Sequence, residues 1–195
     1  AHDRGTDVAV DSVGRILVAG YIGSNTLQGP DAALLKFDAA GNLLWDRTWD
    51  GPAGRSDTGR KLALAPDDSA YVLVNSEQTF SDTDVVTLSY GANGTLLWSD
   101  TYAGPAFDRD LGWDLTLDPA GRAYVVGQVF TLTNAGGYFA IRYDRFGNRD
   151  YPGVERVRFD PAALEGPAWL PDSVAARAEL AQFHESGARG DQGLA

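Results

Sequence analysis

Residues 31–49 read DAALLKFDAAGNLLWDRTW: an apolar segment, a turn, and a second apolar segment carrying two tryptophans. The pattern returns over residues 84–102 as DVVTLSYGANGTLLWSDTY and, more faintly, over residues 137–151 as GYFAIRYDRFGNRDY. Phe37, Tyr90 and Tyr143 follow one another at 53-residue steps, as do Gly41, Gly94 and Gly147, and Trp45, Trp98 and Tyr151. A period of this size marks a chain built from repeated supersecondary units.

Each copy has an upstream half. Residues 5–20 read GTDVAVDSVGRILVAG, residues 59–74 GRKLALAPDDSAYVLV and residues 112–127 GWDLTLDPAGRAYVVG. One unit therefore contains four apolar segments of strand length, rich in Val, Ile, Leu, Tyr, Phe and Thr, which favour pleated structure. Four connections share the pattern D-x-x-G: Asp11 to Gly14, Asp38 to Gly41, Asp118 to Gly121 and Asp144 to Gly147. The aspartate is suited to accept backbone N–H groups, and the glycine supplies the positive φ that lets the next strand leave antiparallel. Residues 91–94 (GANG) keep the glycine of Gly94 and lose the aspartate; residues 65–69 (APDDS) lose both, with Asp68 placed to take the left-handed conformation. Each unit reads as a four-stranded antiparallel meander.

The faces suggest the assembly. The first segment carries Val8 and Val10, Leu62 and Leu64, or Leu115 and Leu117 on one side, and Ala9, Ala63 or Thr116 on the other, as a crowded innermost strand requires. The second segment is apolar on both faces, which implies a covered sheet. The fourth carries Trp45 and Trp49, then Trp98 and Tyr102, expected to pack between units. Sheets of this kind stacked about an axis form a β-propeller. The expected fold is all-β: a partial propeller of three four-stranded antiparallel blades, at about residues 1–54, 55–107 and 108–153. A non-repeat tail, residues 154–195, should hold one short helix near residues 172–185 and a replacement strand near residues 154–159.

The unit DVAVDSVGRILVAGY…DAALLKFDAAGNLLWDRTW resembles the bacterial SBBP-type β-propeller repeat, over roughly residues 5–153. The resemblance implies an extracytoplasmic protein, secreted or at the cell surface, with no activity attached to the repeat residues. The third copy departs from the pattern, with Arg149-Asp150-Tyr151 where the outer strand should run. The element Gly41 to Trp45 and Gly94 to Trp98 also resembles the tryptophan-docking motif of quinoprotein dehydrogenase propellers. That resemblance implies a pyrroloquinoline quinone oxidoreductase as an alternative, although Ala40 replaces the motif's threonine and no calcium-binding set is assignable.

Three blades do not close a ring, which takes about four to eight. The chain contains no methionine, so it is expected to be a mature product or a fragment. Residues 1–5 match the connections before Gly59 and Gly112, as if a blade preceded them. Three completions are open: further blades of a longer chain, a second chain giving six blades, or the tail covering one open face.

Composition limits the chemistry. The formal net charge is −11, which repels polyanions, and nucleic acid is not an expected partner. There is no cysteine, and the two histidines, His2 and His184, lie near opposite ends, so thiol catalysis is excluded and a histidine-based site is not expected. No apolar run approaches the roughly 18 residues of a membrane helix. Asp3, Asp57 and Asp110 each stand two residues before Gly5, Gly59 and Gly112. They are read either as fasteners of the connections between blades or as a ring of carboxylates binding a cation. Asp108, Asp110, Asp114 and Asp118 match a calcium loop in charge but not in spacing. No catalytic residue and no metal ligand is assigned. The expected function is a structural or recognition module, with other blades as partners in cis or in trans. A polar ligand or protein is expected at the variable second–third loops, residues 23–30, 76–82 and 131–137. The competing class is an enzyme: the quinoprotein, or a hydrolase whose active site lies in further blades.

Overall fold

The computed structural model describes residues 2–23, 29–104, 109–130 and 137–149, with the backbone of 157–158. The chain divides into a unit of residues 1–156 and a second of residues 157–195. In the first unit a strand β1 (Arg4–Val10) is followed by β2 (Ile16–Gly23), β3 (Pro30–Phe37) and β4 (Leu43–Trp49). Next come β5 (Asp57–Leu64), β6 (Ala70–Thr79), β7 (Asp82–Tyr90) and β8 (Leu96–Tyr102). The third group is β9 (Asp110–Leu117), β10 (Ala123–Val129) and β11 (Gly137–Tyr143). Consecutive strands pair antiparallel into three sheets, β1 to β4, β5 to β8 and β9 to β11. In the second unit only β12 (Val157–Arg158) is described, inside the stretch read as a replacement strand. The expected helix near residues 172–185 and the end of the chain lie outside the described residues. No helix occurs among the described residues, and none is long and apolar enough to cross a membrane.

The sheets stack face to face through two apolar cores. Between the first and second sheets lie Leu17, Ala19 and Leu34 against Leu62, Val72, Val74 and Leu88. Between the second and third lie Tyr71, Leu73 and Val85 against Leu115, Val125, Phe139 and Tyr143. The middle sheet is thus covered on both sides, and β6 and β7 are its most buried strands. Their continuous runs of Val, Leu and Thr match that environment. The first strands of the three sheets lie near one another, β1 beside β5 and β5 beside β9.

One face of β1 stands open. Val8 and Val10 are 61% and 62% exposed, while Ala9 packs toward the second sheet. The reason is geometric: among the described residues no sheet covers the far face of the first sheet. Where a neighbour exists, the equivalent Leu62 is 8% exposed. Close approach has its own requirement at Gly59, where a Cβ would collide with the carbonyl oxygen of Gly20 across the sheets.

Candidate functional site

The turns behave as their local chemistry demands. Asp11 Oδ1 accepts the backbone N–H groups of Val13 and Arg15 at 3.1 and 2.8 Å. Asp38, Asp118 and Asp144 repeat this with the residues two and four further on. Gly14, Gly41, Gly94, Gly121 and Gly147 all take positive φ, between 76° and 88°, and Asp68 takes 62° in the turn that lacks glycine. The bonds hold these carboxyls below the usual range. For Asp38 the main cause is the Asn42 side chain, and for Asp144 it is that of Asn148. Burial alone would raise Asp118, but the Arg122 N–H and guanidinium and the Tyr124 hydroxyl bring it down to about 2.

The same turns fasten one sheet to the next. Trp98 lies over Gly147 of the third sheet, where a Cβ would come within 2.6 Å of Trp98 Cδ2, and its Nε1 donates to Arg145 O at 3.1 Å. Trp45 lies over Gly94 in the same way at 3.0 Å, and Arg47 Nε donates to Gly94 O at 2.6 Å. Gly41, at the equivalent place in the first sheet, has nothing within 4 Å of its Cβ position. Asp100 Oδ2 accepts from the Tyr143 hydroxyl at 2.7 Å and from Arg149 Nη2 at 2.6 Å.

Lys36, near the end of β3, is only 1% exposed. Its Nζ lies 2.9 Å from Asp11 Oδ2 and donates to Ala92 O of the second sheet at 3.3 Å. Burial acts to raise Asp11, and the Lys36 ammonium with the turn N–H groups overrides it, leaving the carboxyl lowered. Alternation along β3 places Lys36 on the face shared with Leu34, so the second sheet closes over it.

The three connection carboxylates have different surroundings. Asp57 is 1% exposed and its Oδ2 accepts from Gly51 N–H at 2.6 Å. Asp110 is 1% exposed and accepts from Gly104 N–H, six residues upstream like Gly51. Asp3 is exposed and accepts from Gly23 N–H at 3.0 Å. Asp57 and Asp110 each pin the crossing from one sheet to the next, and Asp3 pins the end of β2. Asp3 and Asp110 do not join Asp57 in any group of close carboxylates among the described residues. Asp114 stands on β9 with its Oδ1 at 3.8 Å from Lys61 Nζ, and Asp118 serves its own turn. Asp108 lies outside the described residues.

Of the variable loops, residues 24–28 and 131–136 also lie outside them. Residues 76–82 do not form a free loop: β6 and β7 continue as a long hairpin with a turn at Phe80 and Ser81. Arg55 lies over the Phe80 ring, 4.0 Å from its centroid, and within 3.4 Å of Glu77. At the opposite end, among the turns, an open groove of about 540 Å³ runs between the second and third sheets, lined by Tyr71, Trp98, Arg145 and Phe146.

No family model matches the chain, and no curated protein matches it. A solved structure described as "Crystal structure of the eukaryotic initiation factor" aligns with 80% of this chain at 12% identity and a TM-score of 0.48. The chain spans about a third of that one, 32% of its length.

Proposed function

We propose that this chain is a non-catalytic structural or recognition module of a β-propeller, and that further blades of the same repeat are its partners. The observation that carries this reading is the outward face of the first sheet. Val8, Val10, Val18 and Leu35 occupy the places that Leu62, Leu64, Val72 and Leu88 hold in the second sheet. They also match Leu115, Leu117, Val125 and Ile141 in the third. In the second and third sheets this face is packed against the preceding sheet. In the first it points outward, beside the unfilled seat over Gly41. A contiguous apolar face with matched copies elsewhere in the chain is an interaction surface. Its occupant is another four-stranded sheet with an aromatic on its outer strand, supplied in cis or by a second chain. The resemblance to SBBP-type repeats supports an extracytoplasmic setting for such a propeller.

The test is self-association of the full chain. Light scattering should show concentration-dependent assembly of the 20.8 kDa chain. Val8→Glu and Val10→Glu, both at exposed positions, should abolish it while leaving the melting temperature unchanged. A monodisperse wild-type monomer with one cooperative melt overturns the reading.

A further inference from the structure

A different group of residues, at the crossing from the first sheet to the second, carries chemistry that blade packing does not use. Asp31 stands on β3, Asp50 directly follows β4, and Asp57 opens β5. The pairing of Ala32 with Trp49 sets Asp31 and Asp50 side by side. The chain then turns back so that Gly51 N–H meets Asp57 Oδ2. One carboxylate oxygen from each of the three lies within 4.8 Å of those of the other two.

Acidic side chains often gather without a ligand, so the state of Asp57 matters more than the count. Its side chain is buried, Oδ2 is taken by Gly51, and Oδ1 is shielded from solvent with no hydrogen-bond donor among the described residues. A buried acceptor left without a partner is costly, more so when charged. The space beside Oδ1 is kept open by glycine: a Cβ on Gly51 would stand 2.9 Å from Oδ1 and 2.8 Å from Ser76 Oγ.

We propose that Asp31, Asp50 and Asp57 form a Ca²⁺ site at the first inter-sheet crossing. The donors are all carboxylate oxygens, which select hard cations over the softer transition metals. Oxygens coordinate Ca²⁺ at about 2.3–2.6 Å in adaptable geometry, so ligands of one ion stand up to about 5 Å apart, and three oxygens lying within 4.8 Å of one another fit inside that span. Mg²⁺ demands near-octahedral geometry and keeps its waters, which a half-buried crossing accommodates poorly. The second crossing supplies an internal contrast. Asp84, Gly104 and Asp110 repeat Asp31, Gly51 and Asp57, but Ala103 stands in the place of Asp50. The set of three carboxylates is complete at the first crossing alone.

Calorimetric titration of the chelator-treated full chain with CaCl₂ should show one strong site and a raised melting temperature. Tb³⁺ should bind the same site with luminescence sensitised by Trp49, whose Cη2 lies 3.1 Å from the Gly51 Cβ position. Asp50→Ala, which gives the first crossing the composition of the second, should weaken Ca²⁺ binding about tenfold or more, because affinity follows ligand charge. Asp50 is exposed, so this variant retains the fold, checked by its circular dichroism. Asp46→Ala, removing an exposed carboxylate from the same strand, should leave binding unchanged. The proposal is overturned by a wild type that shows neither heat nor melting shift with Ca²⁺. It is also overturned if Asp50→Ala binds as well as wild type, if Asp46→Ala loses as much as Asp50→Ala, or if Mg²⁺ acts as strongly as Ca²⁺.

Discussion

The turn glycines form a graded series within one chain, and alanine at each should separate backbone strain from packing. Gly121 and Gly147 have φ of 76° and 86°, so alanine pays the left-handed cost at both, about 1–2 kcal/mol. At Gly121 the added Cβ meets nothing within 4 Å. At Gly147 it would stand 2.6 Å from Cδ2 and 2.8 Å from Cγ of Trp98. Trp98 cannot yield freely, because Tyr71 packs against it edge-on at 5.6 Å and Tyr143 tilts onto it at 5.5 Å. Overpacking of this kind costs about 1–3 kcal/mol more. Gly147→Ala should therefore cost about 2–5 kcal/mol against about 1–2 for Gly121→Ala. Gly94→Ala should fall between them, since its nearest contacts, Arg47 Nη2 and Trp45 Cδ2, are both at 3.0 Å. Urea denaturation followed by circular dichroism measures the differences, and tryptophan emission reports whether the ring is displaced. Equal losses at Gly121 and Gly147 would refute the claim that the tryptophan docks on the bare glycine.

Three further outcomes are expected. Lys36→Met should destabilise the fold by about 3–5 kcal/mol, because Asp11 would stay buried without its cation. Adding Asp11→Asn should recover part of that loss in a double-mutant cycle by chemical denaturation. Asp84 is raised to about 6, first by burial and then by Asp82. A raised carboxyl binds its proton more tightly when folded, so it lowers stability as pH rises from 3.8 to about 6, and the penalty remains above that window. Asp84→Asn should remove that part of the decline in a series of melts against pH. Asp100→Ala leaves the Tyr143 hydroxyl and Arg149 without their shared acceptor and should cost about 1–3 kcal/mol in the same denaturation assay.

Legibility followed the range of the interactions. The D-x-x-G turns could be read because their bonds close within four residues. Asp68 was readable as a left-handed residue because the turn around it had lost its glycine. The tryptophan docking was accessible because the repeat lines up Trp45 with Trp98 and Gly94 with Gly147. The burial of Lys36 was not legible, because alternation along β3 identifies a shared face but not what lies across from it. The hairpin at residues 76–82 looked like a variable loop, yet its residues continue the β6–β7 ladder from Ser76 with Asp84 to Thr79 with Asp82.

The carboxylates show the same division. Recurrence singled out Asp57 and Asp110 through their places before Gly59 and Gly112, and both pin a crossing between sheets. Recurrence does not reveal that Asp31 and Asp50 meet Asp57, because Asp50 has no counterpart in the next copy and the three come from different strands and connections. By itself the sequence determined the strands, the turns and the order of the units, since these depend on local hydrogen bonding and on a period readable along the chain. The tertiary structure alone decided which face of the first sheet stays open, which lysine is buried, and which carboxylates share one space. Those depend on how separate sheets pack, and packing brings together residues that no spacing along the chain connects.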